Sequence, residues 1–350
     1  MTAAKKKNSR RKQARFRSSR RKRIRNTVLL LFLLVVLGGT GIGAIYVLRN
    51  GTVFDKLEEA YVASREFSGG ITDLDSLRAD GFAKNLCVVV SYVPMDGVSL
   101  GENQKGLLLD LDDRKVLYSK QALQKVYPAS ITKIMTAMLA LKYGNMDDVV
   151  TITQENLNLE EGSQICGFWA GDQVTMDQLL HCLLVYSGND AAAAIAEHVG
   201  GSTDGFVEMM NSYARELGCT GTHFTNPHGL QDENHYTTPY DIYLMLKEAL
   251  NYPEFTQITQ SGSYTVEYTH ADGSSASTTL LATDHYLTGE ATPPKNVTIL
   301  GGKTGTTDNA GNCLALLSQN AYGKPYISIV MGASTKDELY EQMSSLLQNI

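Results

Sequence analysis

The chain has 350 residues, 43% hydrophobic and 19% charged, the proportions of a globular protein with a core to bury rather than of a disordered chain. Its net charge of −6 hides a split: residues 1–26 carry 13 Lys or Arg and no acid, which leaves 18 basic against 37 acidic residues and a charge of −19 downstream. An acidic body lacks the basic stripe that nucleic-acid binding requires, which argues against nucleic acid as a partner.

The basic run has another explanation directly behind it. Residues 27–48 contain no charge over 22 positions, beginning TVLLLFLLVVL. At about 1.5 Å per residue, a helix of that length matches the roughly 30 Å hydrocarbon core of a bilayer. With the positive flank first, the N-terminus stays in the cytoplasm and everything after Arg49 lies outside. A cleaved signal peptide is the rival reading, but its basic region would be long, and only residues 41–44 offer a weak small-x-small cleavage site. A retained single-pass anchor in the cell membrane is therefore expected, with a cytoplasmic tail over 1–26.

After the anchor, residues 49–85 read as a stem, partly helical over 54–67 and interrupted by Ser68-Gly69-Gly70. The apolar, β-branched stretch 85–93 reads as a strand, and 106–119 as a hairpin turning at Asp112-Asp113. Pro128-Ala129-Ser130 opens a long apolar helix that Gly144 ends. Thr175 with Gln178 forms a capping-box signature for a helix through Val185. Ser187-Gly188-Asn189 breaks that helix, and Asp190 is positioned to cap the alanine-rich one after it, which stops at Gly200-Gly201. Further helices follow over 203–217 and 239–250. The tail turns β-rich, with strands predicted at 263–268, 297–300, 313–318 and 326–332. A last amphipathic helix, 336–348, carries Leu339, Met343, Leu346 and Leu347 on one side and is expected to pack on a sheet. Strands at both ends around a helical middle give an α+β fold: one antiparallel sheet with flanking helices and an inserted helical lobe, over 86–350.

Five cysteines, at 87, 166, 182, 219 and 313, are scattered and odd in number. None form a C-x-x-C pair, so they read as buried thiols, with two disulfides as the upper bound. The seven histidines show no metal-ligand spacing. No metal site or cofactor is expected.

Three short motifs occur in order: Ser130-Ile131-Thr132-Lys133, Ser187-Gly188-Asn189 and Lys303-Thr304-Gly305. Each is weak alone, because Ser9-Arg10-Arg11-Lys12, Ser19-Arg20-Arg21-Lys22 and Ser318-Gln319-Asn320 match the same patterns. Context separates them. Ser130 stands at a helix start, where the dipole favours negative charge. Lys133 lies one turn on, in a helix that Ile134, Met135, Met138, Leu139 and Leu141 make apolar on most sides. Lysine deprotonates serine only when neutral, and burial plus a second cation such as Lys303 lowers its pKa. Ser187 offers a hydroxyl and Asn189 an amide on a loop, although Ser, Gly and Asn are also ordinary turn residues. Lys303 is a compact cation suited to a carboxylate, and the glycines at 301, 302 and 305 admit a substrate backbone. A plain hairpin edge guarded by a charge is the bland alternative for that third motif.

S-x-x-K, S-x-N and K-T-G in this order, with YPASITKIMTA (127–137), VYSGNDAAAAIAE (185–197), TNPHGLQDENHYTTPYD (225–241) and GGKTGTTDNAGNCL (301–314), resemble the serine D-Ala-D-Ala carboxypeptidases, the low-molecular-weight penicillin-binding proteins. The resemblance covers roughly 86–350 and implies a β-lactamase/transpeptidase-like fold. It implies cleavage of peptidoglycan stem peptides ending in D-Ala-D-Ala through an acyl-enzyme, with β-lactams as covalent inhibitors. By position, Ser130 is then the nucleophile and Lys133 the general base. Ser187 and Asn189 assist proton transfer and hold substrate, and Lys303 and Thr304 bind the terminal carboxylate. The backbone N–H groups of Ser130 and Thr306 form the oxyanion hole. Two departures stand out. The chain ends about 45 residues after Lys303, without the C-terminal β-rich domain and amphipathic helix often found in the family. Residues 283–294 also lack the Asn- and Arg-containing run expected before the third motif. A β-lactamase of the same fold, and a non-catalytic wall-binding homologue, are the alternatives.

Overall fold

A computed structural model of the protein describes residues 85–350. The expectations for the basic tail, the membrane anchor and all but the last residue of the stem fall outside the described residues. Among the described residues, no helix is long and apolar enough to cross a membrane.

The described chain begins with a correction. Residues 85–93 form no ladder; only Val93 bridges to Ser119, with N–H···O bonds of 2.9 and 3.0 Å in the two directions. The segment runs past the edge of the sheet, and Val88, Val90 and Tyr92 are exposed, so its β-branched residues find no second strand to pair with. The hairpin then forms as expected, β1 Lys105–Asp110 and β2 Lys115–Lys120, its turn braced by the Asp113 N–H on Asp110 Oδ1 at 2.9 Å.

The apolar helix predicted from Pro128 splits in two. A 3₁₀ turn, Ala129–Thr132, precedes α1, Lys133–Tyr143. Ala129 takes a φ of +48°, a left-handed value that a continuous helix does not allow. Strands β3 Val149–Thr151 and β4 Gln173–Thr175 follow, then α2 Met176–His181 with the predicted capping box, continued by a π turn, Cys182–Tyr186. Next come α3 Asn189–Gly200 and α4 Thr203–Glu216. Asp190 is not the N-cap of α3, a position Gly188 takes, although its Oδ1 accepts from the first-turn N–H of Ala191 at 2.9 Å. Its carboxylate accepts from the N–H groups of Cys166 (2.8 Å) and Gly167 (3.2 Å), fixing a loop from 24 positions away. The chain continues through α5 Pro239–Ala249, α6 Pro253–Thr259, the hairpin β5 Ser263–Thr269 and β6 Ser275–Leu281, and the short α7 His285–Thr288. It ends with β7 Thr298–Thr307, β8 Gly311–Gln319, β9 Pro325–Ala333 and α8 Lys336–Leu347.

Among the described residues two sheets result rather than one. The larger is antiparallel with order β2-β1-β9-β8-β7; β3-β4-β5-β6 form a second. The smaller sheet is held by exposed polar strands such as β6, whose apolar signal is too faint to read. The larger sheet is covered on both faces, which follows from the period-2 alternation of a strand. Leu107, Leu109, Ala315, Leu317, Ile327 and Ile329 face the helical lobe. Leu108, Leu314, Leu316 and Val330 face α8, where they meet Leu339, Met343, Leu346 and Leu347, as its amphipathic pattern predicted. The α+β class and the inserted lobe hold. All five cysteines are buried and unpaired by disulfides.

Candidate active site

The third motif lies within β7 and not after it. The strand predicted over 297–300 runs on past the glycines: the ladder only shifts register between Ile299 and Gly301 and then continues through Thr307. As the free edge of the five-stranded sheet, β7 leaves one side of its backbone open to a ligand. It also runs hard against the turn that carries Ser130. A Cβ on Gly305 would lie 2.9 Å from Ser130 N and 3.0 Å from both Ile131 N and Pro128 O. Glycine is what allows strand and turn to touch.

Lys133 is wholly buried at the start of α1. Its Nζ lies 2.9 Å from Ser130 Oγ and donates to Asn189 Oδ1 at 2.6 Å and to the His228 carbonyl at 2.9 Å. Burial, and then the charge of Lys303, hold its pKa well below the ordinary lysine range. A neutral amine has two N–H donors and a lone pair. With Asn189 and His228 accepting the two donors, the lone pair is left facing the Ser130 hydroxyl. That is the arrangement a general base requires.

Across the cleft, Lys303 Nζ donates to Ser187 Oγ at 3.0 Å and to the Thr304 carbonyl at 3.0 Å. Burial pushes its pKa down to about 7, opposed by the carboxylate of Asp284. Ser187 ends the π turn with a φ of +70°, a strained conformation for a residue with a Cβ, of the kind that collects at functional sites. In this conformation its hydroxyl accepts from Lys303. Thr304 Oγ1 lies 2.5 Å from Thr283 Oγ1, and Thr306 Oγ1 donates to Asn312 Oδ1 at 3.1 Å.

Ser130, Ser187, Asn189, Thr304, Gly305 and Thr306 line one cleft of about 360 Å³, and the amines of Lys133 and Lys303 reach it from beneath. All seven residues singled out from the sequence therefore converge, Ser130, Lys133, Asn189 and Lys303 among them. A larger groove, about 650 Å³, opens between residues 308–311 and 125–127. It contains none of the motif residues, so the chemistry assigns the smaller cleft. Sequence reasoning missed the His228 carbonyl, although it lies in the quoted 225–241 stretch. It also missed Thr283, which lines the cleft from the segment where the expected Asn- and Arg-containing run is absent.

Comparison with known proteins agrees with this geometry. The D-alanyl-D-alanine carboxypeptidase family profile matches residues 101–335. The chain belongs to that family. It is 36% identical over 251 residues to the D-alanyl-D-alanine carboxypeptidase DacF of Bacillus subtilis, covering 70% of this chain and 61% of that protein. The chain thus spans less than two thirds of the length of that family member. A D-alanyl-D-alanine endopeptidase of Pseudomonas aeruginosa is 32% identical over 237 residues, covering 65% of this chain and 72% of the relative. Among solved structures, the Streptomyces K15 DD-transpeptidase superposes with a TM-score of 0.65 at 27% identity, covering 73% of this chain and 97% of that one. The penicillin-binding, transpeptidase-like fold is therefore shared.

Proposed function

We propose that the protein is a serine D-alanyl-D-alanine carboxypeptidase that removes the terminal D-alanine from peptidoglycan stem peptides and is inhibited covalently by β-lactams. The observation that carries this reading is the contact of a buried, pKa-depressed Lys133 with Ser130 Oγ at 2.9 Å. In the proposed reaction, the amine of Lys133 takes the Ser130 proton as Oγ attacks the penultimate D-alanine carbonyl. The N–H groups of Ser130 and Thr306 hold the oxyanion, each donor worth about 3–4 kcal/mol in such sites. The C–N bond breaks as the leaving amine takes up the proton held by Lys133, relayed through Ser187. Lys303 and Thr304 bind the terminal carboxylate, and Asn189 holds Lys133 and a substrate carbonyl. Water, losing its proton to Lys133, then attacks the ester; the acyl C–Oγ bond breaks and Lys133 returns the proton to Ser130 Oγ.

Mass spectrometry of residues 86–350 with a pentapeptide ending in D-Ala-D-Ala tests the reading. Release of one alanine, blocked by penicillin through a long-lived adduct, is expected. Rapid turnover of the penicillin itself favours a β-lactamase, and absence of both reactions favours a non-catalytic wall-binding protein.

The anchoring is part of the same proposal: residues 1–26 lie in the cytoplasm, 27–48 cross the cell membrane, 49–85 form a stem, and 86–350 act outside. The charge pattern around residues 27–48 supports it. Retention in membranes through alkaline carbonate washing, with the catalytic part digestible by protease added to intact protoplasts, is the expected result; release by carbonate contradicts it.

A further inference from the structure

The motif Ser130-Ile131-Thr132-Lys133 contains a polar residue to which the reaction gives no task. Thr132 is 1% exposed in the turn between the nucleophile and its base, where an apolar residue would bury at lower cost. Its Oγ1 donates to the Ala129 carbonyl at 2.8 Å and lies 2.8 Å from His235 Nε2. The protons on this pair can be assigned. The backbone N–H of Thr225 points at His235 Nδ1 at 3.0 Å, and an amide N–H only donates, so Nδ1 is an acceptor and the ring proton sits on Nε2. Nε2–H therefore donates to Thr132 Oγ1, which leaves the threonine proton for the Ala129 carbonyl.

The end of this chain of bonds is the strained residue. Ala129, with its φ of +48°, immediately precedes Ser130, and its carbonyl orientation fixes the peptide plane that ends in Ser130 N. The same loop grips the approach to the turn: Val126 and Thr237 exchange N–H···O bonds of 2.8 and 2.9 Å, two residues beyond His235. The face of Gly229 packs directly on the Ala129 carbonyl. His235 is 2% exposed, and burial holds its pKa down to about 4, so the ring keeps its single proton at neutral pH.

We propose that Thr132 and His235 are positioning residues. Through the hydrogen-bond chain Thr225–His235–Thr132–Ala129 they hold the nucleophile turn in its left-handed form, keeping Ser130 Oγ on Lys133 and Ser130 N in the oxyanion hole. The inference rests on the acyl-enzyme reading above and adds to it a function for the loop 225–237.

The test is the rate of acylation by a fluorescent penicillin, with melting temperature and peptide kinetics measured alongside. Misplacement of a nucleophile by about 1 Å costs up to about 10²-fold. On that scale, T132V, which keeps the shape and loses the hydroxyl, should acylate at least about tenfold more slowly. T132S, which restores it, should recover to within about threefold of wild type. The loss should fall on kcat, with KM for the peptide held, because Lys303 and Thr304 are untouched. H235F, a ring without a donor, should match T132V and carries the test if T132V does not fold. A folded T132V or H235F that acylates like wild type overturns the proposal, as does a T132S as slow as T132V. Failure of the wild-type protein to label at all would overturn the acyl-enzyme reading instead.

Discussion

On one side of the cleft, Ser130 sits in a turn that no regular element explains. It follows a left-handed alanine and precedes a buried lysine whose nitrogen touches three elements. On the other side, Lys303 and Thr304 sit on an ordinary antiparallel strand, paired in register with Ala315 and Leu314. The nucleophile wall depends on many specific bonds to residues distant in sequence. The carboxylate wall depends on the absence of side chains, chiefly at Gly305. Irregular backbone positions the reacting atoms, and regular backbone gives a straight edge on which a substrate can lie.

The most severe way to break the first wall is S130A. It should abolish penicillin labelling and lower peptide release by about 10⁶-fold, the scale seen when a serine nucleophile is removed, with the melting temperature unchanged. Labelling that persists would displace Ser130 from its role. The two walls are tested together by G305A, whose methyl carbon must push against Ser130 N and Pro128 O. Acylation should fall by about 10²-fold, with the fold intact by circular dichroism; an unaffected rate would mean that the contact does not matter.

Titration sharpens the comparison further, because one lysine must be neutral and the other charged. Acylation should rise with pH as Lys133 loses its proton and become ineffective as Lys303 does. For the peptide, kcat/KM should thus be bell-shaped, its alkaline limb near pH 7, where the Lys303 value of about 7 places it. A flat profile would refute the division of charge. The smallest effect on chemistry is expected far from both walls, at L346A on the sheet face opposite the lobe. Leu346 is fully buried against that face, so stability should drop by about 2–5 kcal/mol in a denaturant melt while acylation at 25 °C stays near wild type. A matching loss of acylation would show that α8 also shapes the cleft.

How much of this was legible beforehand follows the same division. The motif residues and their convergence were readable, because S-x-x-K, S-x-N and K-T-G have a meaning as a set and in order. The capping box at Thr175 and the apolar face of α8 were readable because their partners are close in sequence. The split at Ala129 was not, since nothing local marks a left-handed alanine; it is held by Thr132 and His235 across 103 positions. Asp190 was misread for a related reason. An acid at a helix start looks like a cap, yet this carboxylate also takes the N–H groups of Cys166 and Gly167 from a distant loop. The second sheet escaped notice because β3 and β4 have three residues each and β6 is mostly polar, too little for a period-2 signal.

The five cysteines give the molecule a built-in record of its own opening. They are spread from Cys87 near the start of the described chain to Cys313 in the central sheet, and every one is buried. A native molecule offers an alkylating reagent no accessible sulfur, whereas an unfolded one offers five. The count of alkylated sites on each molecule therefore distinguishes local loosening around one helix from cooperative loss of the whole structure, with no dye or engineered label.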